Sequence, residues 1–171
     1  MDFFKIIEER RSMRKYAQKP VEDEKLQRIL EAANRAPSAG NLQGYEIYVV
    51  RKPELRLGMV KAAWDQEFLA EAPVILVFCA NPGRSVERYQ ERGTELYCLQ
   101  DATIACTFAM LAAKAQGLDS VWVGAFKEEE VRKLIHLPAS LRPVALLPVG
   151  YAGKEAKPRP RRELGDLVHE A

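Results

Sequence analysis

The apolar positions along this chain follow two spacings, one typical of helices and the other of strands. Apolar residues three or four positions apart predict helices at 2–11, 21–36, 53–64, 94–116 and 127–135. Short runs rich in β-branched and aromatic residues predict strands at 45–50, 73–80, 121–126 and 143–149. Because helices and strands alternate, this pattern alone favours a doubly wound parallel sheet covered by helices.

Two of these segments are apolar enough to be buried on nearly every side. The run 73–80 has no charged or amide residue, so we expect it to lie centrally in the sheet. The helix over 94–116 is apolar on most faces between 102 and 115, which predicts burial in a large core or against another subunit. Gly117 is a natural C-terminal cap for this helix. The polar segment 84–93 is expected to be exposed or mobile.

Composition and charge narrow the class of protein. The 171 residues are 47% hydrophobic and 29% charged, which predicts one globular domain over residues 1–171. A net charge of +2 gives no general basic field, so nucleic acid is not indicated as a partner. No signal segment and no uncharged run of about 18 apolar residues is apparent, so no membrane span is expected and the predicted location is cytoplasmic.

Common catalytic and metal-binding patterns are missing from the sequence. It contains neither GxGxxG nor GxSxG, and in 150–155 the glycines are too close together for a phosphate-binding P-loop. His136 and His169 lie far apart and lack a nearby cysteine or aspartate, so no metal site is predicted. The widely spaced Cys79, Cys98 and Cys106 lie in apolar runs and are predicted to be buried thiols.

Arginines cluster near both ends of the chain. Arg10, Arg11 and Arg14 close the first predicted helix, and Arg159 and Arg161 lie in a proline-rich segment. Guanidinium groups bind phosphate oxygens through paired hydrogen bonds and keep their charge at any working pH. A solvated basic helix end is the alternative, because cations also complement the helix dipole there. If the two clusters meet in the fold, they form one anion pocket.

A loop at 37–44, hereafter the amide loop, offers a second kind of binding group. Its Ser38, Asn41 and Gln43 side chains and its backbone N–H groups suit the edge of a planar polar ring. Gly124, directly after Val123, permits backbone donation at close range. Together with the arginines, these groups indicate a phosphorylated aromatic cofactor more readily than a nucleic acid, for which wider basic coverage is expected.

Four sequence blocks resemble the nitroreductase family of FMN-dependent oxidoreductases. They are Arg-Arg-Ser-Met-Arg-Lys-Tyr at 10–16, Ala-Pro-Ser-Ala-Gly-Asn-Leu-Gln at 36–43, Gly-Leu-Asp-Ser-Val-Trp-Val-Gly-Ala-Phe at 117–126, and Lys-Pro-Arg-Pro-Arg-Arg at 157–162. The blocks occur in the family's order over nearly the whole chain. The resemblance implies an α+β, three-layer fold, with a mixed central sheet flanked by helices, in an intertwined homodimer.

The resemblance also implies two FMN sites at the subunit interface. Arg10, Ser12, Arg159 and Arg161 would hold the phosphate and ribityl chain, with Arg11 at the same end and Arg14 near flavin N1 and C2=O. The backbone of Val123 and Gly124 would lie near flavin N5. The partner subunit would contribute the remaining residues of the site, which are Pro37, Ser38, Ala39, Asn41 and Gln43.

The activity implied by the resemblance is transfer of hydride from NADH or NADPH through flavin N5 to an acceptor. A nitroaromatic or a quinone would be the acceptor in a ping-pong cycle, and no side chain is indicated as an acid or base. Another reaction of a related flavoenzyme, such as dehalogenation, enone reduction or flavin fragmentation, stays open. A non-catalytic flavin- or nucleotide-binding module is a further alternative. Residues 84–97 are candidates for covering the flavin.

Overall fold

The structure, a computed structural model, describes residues 2–171. Its helices are α1 Phe3–Glu9, α2 Asp23–Asn34, α3 Pro53–Ala62, α4 Phe68–Glu71, α5 Val86–Arg92, α6 Cys98–Ala115 and α7 Glu128–Leu134. Its strands are β1 Tyr45–Val50, β2 Val74–Ala80, β3 Asp119–Ser120 and β4 Arg142–Gly150. Gly117, with φ +74°, follows α6 in the left-handed conformation expected of its C-terminal cap.

The four strands form one antiparallel sheet in the order β1-β2-β4-β3. The doubly wound parallel sheet favoured by the pattern is therefore wrong, because alternation of helices and strands does not fix strand direction. A helical connection such as α3 and α4 between β1 and β2 also returns the chain antiparallel. In the described part of the chain, the mixed character implied by the resemblance is confined to an isolated parallel bridge between Ser12 and Ser120.

Both faces of the sheet are covered, which gives three layers. On β2, Val74, Leu76 and Phe78 pack in the cluster that contains α2 and α6. Ile75 and Val77 point the other way, into the cluster that contains α3 and α7. Every residue of β2 is buried, so the prediction of a central strand is confirmed. The α+β class is confirmed as well.

Helix α6 is the long apolar helix expected from the sequence. Its buried side chains are small, among them Ala102, Ala105 and Ala109, which lets α2 and the sheet pack closely on it. The stretch Val86–Ala115 has the length and hydropathy of a membrane span, a property it shares with the core helices of folded proteins. A π-helical turn at Gly93–Tyr97 precedes α6, where the sequence predicts continuous α-helix.

Two other segments differ from the sequence prediction. Instead of a strand over 121–126, the ladder stops at Ser120, and Val123 pairs with Leu146 through one isolated bridge. The alternating apolar positions there arise because Val121 and Val123 pack into the α3 and α7 cluster. The segment predicted to be exposed or mobile at 84–93 contains α5, which is kinked at Gln90 (φ 49°, ψ −135°).

Candidate cofactor site

The arginines from both ends of the chain line one cavity of about 800 Å³, hereafter the arginine cavity. The predicted site residues in its lining are Arg10, Arg11, Ser12, Arg14, Arg159 and Arg161. Lys154 and Lys157 add two more cations at the rim. The sequence positions of the two clusters differ by about 145 residues, so only the fold brings them together.

A strap of backbone hydrogen bonds brings the two clusters together. Helix α1 starts at its cap Asp2 and ends at Arg10, whose N–H still donates to the Ile6 carbonyl. The chain then pairs with the sheet edge, where the Met13 N–H donates to the Ser120 carbonyl over 3.0 Å. Two residues further on, the Lys15 carbonyl accepts from the Gly153 N–H over 2.7 Å. Residues 12–17 are thereby held between β3 and the segment after β4.

Tyr16 and Gly153 explain why the strap closes so tightly. The buried Tyr16 hydroxyl lies 3.0 Å from the Met13 carbonyl and 3.1 Å from the Pro148 carbonyl, both of which can accept its proton. Burial raises the pKa of Tyr16, so the phenol stays a neutral donor. A Cβ at Gly153 would lie 2.8 Å from the Tyr16 carbonyl carbon, so this position requires glycine.

In the part of the chain that the structure describes, the arginines of the arginine cavity form no ion pair with the carboxylates that line it, Glu8 and Glu155. Burial first, then the neighbouring Arg161 and Arg11, lowers the pKa of Arg10. Within residues 2–171, no ion pair joins any of these arginines to a carboxylate elsewhere in the fold either. Such an arrangement is stabilised by a bound anion, and a phosphate matches guanidinium geometry.

The amide loop has an unusual backbone held by its own side chains. Gly40 (φ +55°), Asn41 (φ 58°) and Gln43 (φ 45°) all adopt the left-handed conformation. The Gln43 N–H donates to Ser38 Oγ over 3.0 Å, and its side-chain amide donates to Asn41 Oδ1 over 2.7 Å. Pro37 and Ala39 complete the predicted set, and Ala39 opens a short 3₁₀ turn. None of these residues lines the arginine cavity of the same chain.

One residue that supports the amide loop was missed by sequence reasoning. Asp101, on α6, is 2% exposed, and each of its carboxylate oxygens accepts one backbone N–H from the loop. Ala39 donates to Oδ1 over 2.9 Å and Gly44 to Oδ2 over 3.0 Å. Asp101 is the single carboxylate of an apolar helix and lies in its first turn. That was the available signal, because charged residues are rarely buried unless paired.

Helix α5 lies against the other side of the loop. A Cβ at Gly40 would lie 2.5 Å from the Tyr89 hydroxyl and 2.8 Å from Arg88 Nη1, so these two side-chain ends would have to shift, and the φ of +55° itself favours glycine. Arg84 Nε donates to the Leu42 carbonyl over 2.8 Å. The segment that was a candidate for covering the flavin therefore contacts the amide loop.

The predicted role of Val123 needs correction. Its N–H donates to the Leu146 carbonyl over 2.9 Å, so it is not available to a ligand. Gly124 is exposed and borders a separate depression with Phe126 and Arg142. In a single chain, the arginine cavity, the amide loop and Gly124 therefore form three separate groups.

Comparison with known proteins shows which family has this fold and this arrangement of residues. The family model described as "Nitroreductase family" matches residues 7–67 and 58–151, and the chain belongs to this family. The prediction of an oxidoreductase of the nitroreductase family is thereby confirmed.

Individual relatives resemble the chain over most of its length. An NADH dehydrogenase of Thermus thermophilus is 33% identical over 93% of this chain and 91% of its own. An FMN reductase [NAD(P)H] of Bacillus subtilis is 31% identical over 94% of this chain and 70% of its own. The solved structure of B. megaterium NfrA2 superposes with a TM-score of 0.92 at 30% identity, covering 99% of this chain and 74% of that one.

Proposed function

We propose that this protein is an FMN-dependent NAD(P)H oxidoreductase whose cofactor phosphate binds in the arginine cavity. The observation that carries the proposal is the group of arginines from both chain ends. They are close enough to lower the pKa of Arg10, and the described residues, 2–171, offer them no ion pair with a carboxylate. The names of relatives support the flavin and the reductant, since two of them are an FMN reductase [NAD(P)H] and an NADPH-flavin oxidoreductase.

Each group of residues has a separate task in this proposal. Arg10, Ser12, Arg159 and Arg161 bind the phosphate and ribityl end, and Arg11 supports them with its side chain folded onto the Arg10 carbonyl at 2.9 Å. Arg14 is exposed at the cavity wall, 6.0 Å from the Phe68 ring centroid, and supplies positive charge to the flavin ring. Positive charge there stabilises an anionic reduced ring.

A second copy of the chain completes the site. The amide loop and Gly124 lie apart from the arginine cavity, so in this proposal the loop of one subunit faces the cavity of its partner. Exposed apolar side chains on α1 favour such a homodimer, with Phe3, Phe4 and Ile7 at 56%, 75% and 47% exposure. The residues after 157 are exposed and include Leu164 and Val168, as expected of a tail that reaches a partner.

The chain's own residues bind, orient and shield, and none is assigned as an acid or base. The bound flavin supplies the redox chemistry, alternating between NAD(P)H and a small acceptor such as a nitroaromatic or a quinone. The exposed Gly124 would present its backbone N–H to the reactive edge of the ring. Val123 has no part in this contact, because its N–H donates to the Leu146 carbonyl. The cytoplasmic location and the single domain over residues 1–171 stay predictions.

Spectroscopy tests the proposal directly. The purified protein should bind FMN with about one flavin for each chain, and anaerobic NADH or NADPH should bleach the flavin absorbance. A steady-state panel of acceptors then separates nitro and quinone reduction from dehalogenation, enone reduction and flavin fragmentation. A protein that neither retains nor binds added FMN contradicts the proposal, and bound FMN that no pyridine nucleotide reduces indicates a non-catalytic module.

A further inference from the structure

We infer that Asp101 is a positioning residue that holds the amide loop in the shape required for flavin binding. The inference rests on the proposed function, because the loop's task is taken from it. Asp101 touches neither the arginine cavity nor Gly124, so it acts only through the loop. Its two contacts lie at the two ends of one six-residue segment, from Ala39 to Gly44.

The geometry suits a carboxylate and no other side chain of this length. Both oxygens of an ionised aspartate accept hydrogen bonds, and here each receives one backbone N–H, from Ala39 at 2.9 Å and from Gly44 at 3.0 Å. An asparagine would keep one acceptor and point its NH₂ group at the other N–H. The substitution would therefore set donor against donor at one end of the loop while changing almost no volume.

The surroundings fix Asp101 in place. It is 2% exposed on α6, next to Ala102, which is fully buried. Ser85 Oγ is buried without a partner, 2.7 Å from where a Cβ on Gly44 would be, and Asp101 Oδ2 lies 3.0 Å from the same point. No side chain fits at position 44, so glycine allows the backbone N–H to reach the carboxylate.

The amide loop needs support from outside because its backbone is not favoured by its sequence. Gln43 has a positive φ, which residues other than glycine, asparagine and aspartate rarely adopt without support from their surroundings, and Asn41 has one as well. Internal hydrogen bonds join Ser38, Asn41 and Gln43 to one another, and the Asn81 N–H donates to the Gly44 carbonyl. Among residues 2–171, however, Asp101 alone accepts from both Ala39 and Gly44. Releasing one end would let the cofactor-facing groups turn away.

The test compares Asp101→Asn with Cys106→Ala on the same helix. Cys106 is fully buried in the α2 and α6 cluster, which contains no residue of the amide loop, so its truncation is expected to lower stability alone. Asp101→Asn should weaken FMN binding by about tenfold or more, since a charge-assisted pair becomes a repulsive one. Cys106→Ala, compared at a similar loss of melting temperature, should leave the FMN dissociation constant within about twofold.

Amide hydrogen exchange of the flavin-free protein provides a second readout. In Asp101→Asn, the amides of Ala39 and Gly44 should exchange about tenfold faster or more, measured relative to the amides of α6. In Cys106→Ala, the exchange of these two amides relative to those of α6 should not change. Equal exchange and equal FMN binding in the two variants would overturn the inference. If the wild-type protein binds no FMN, the proposed function fails. Faster exchange in Asp101→Asn but not in Cys106→Ala would then still show that Asp101 holds the amide loop in place. Should Asp101→Asn not fold, Gly44→Ala displaces the same N–H and is expected to reproduce both effects.

Discussion

Replacing Arg10 with glutamine should have opposite effects on the free protein and on its complex with FMN. Arg10 is half-buried, and burial first, then the neighbouring Arg161 and Arg11, lowers its pKa. Within residues 2–171 no ion pair joins it to a carboxylate. Loss of its charge therefore relieves repulsion, so the free energy of unfolding of the flavin-free protein should stay constant or rise by up to about 0.5 kcal/mol. Most single substitutions instead lower the free energy of unfolding.

The same substitution should weaken FMN binding strongly. A hydrogen bond to a charged group contributes about 1.5–3 kcal/mol, so loss of one or two phosphate contacts predicts a dissociation constant raised by about 10-fold to 1,000-fold. Flavin fluorescence quenching measures the binding, and urea denaturation of the flavin-free protein measures the stability. Arg51→Gln is the matched control, because Arg51 is exposed and paired with Asp23 at 2.6 Å, outside the cavity.

Salt provides an independent check on the same argument. Raising the ionic strength screens charges, so the FMN affinity of the wild-type protein should fall. Arg10→Gln should reduce this dependence, and Arg51→Gln should not. A variant that loses more than about 1 kcal/mol of stability, or that binds FMN within about twofold of wild type, would refute an anion site centred on Arg10.

Three further predictions address other parts of the molecule. Arg14→Ala should lower the flavin midpoint potential, by about 30 mV for each 1.4 kcal/mol of lost stabilisation of the reduced ring, and an unchanged potential in a redox titration would contradict its assignment. Gly40→Ala should weaken FMN binding and destabilise more than Gly117→Ala, because both have positive φ but only Gly40 meets another residue, the Tyr89 hydroxyl; equal denaturation midpoints would count against this. Burial raises the pKa of Cys79 from near 9 to about 12, so the unfolded chain loses this proton first and this thiol should lower stability between these values by at most about 1.4 kcal/mol per pH unit; Cys79→Ala should make the slope shallower by that contribution, and an unchanged slope would contradict it.

The sequence predicted the elements better than their arrangement. β1 was predicted to the residue and β2 and β4 to within one, because their apolar runs are bounded by turn residues. Strand direction was not predictable, since the side-chain pattern of a fully buried strand is the same in parallel and antiparallel sheets. The strand prediction for 121–126 was wrong for a related reason. The alternating apolar residues there pack against α3 and α7, and this packing needs no continuous strand, since one isolated bridge joins Val123 to Leu146.

The candidate site divides in the same way. The arginines could be predicted because their chemistry is specific, and the structure brings both clusters together. The Asp101 contact could not, because nothing local in α6 shows that Ala39 and Gly44 present their N–H groups to it. Nor does any sequence pattern show that the Val123 N–H is occupied by Leu146.

The backbone hydrogen bonds between residues 12–17 and 151–153 limit when the proposed FMN site can form during synthesis. β4 ends at Gly150, so a nascent chain that has emerged to this point has all four strands of the sheet. It still lacks Gly153, whose N–H donates to the Lys15 carbonyl. It also lacks Arg159 and Arg161, which line the arginine cavity. Because ribosomes add residues from the N-terminus at about 5–20 per second, the proposed FMN site is complete only after residue 161 has been added. In the proposed function, these contacts between distant parts of the sequence would allow FMN to bind only to chains that extend past residue 161.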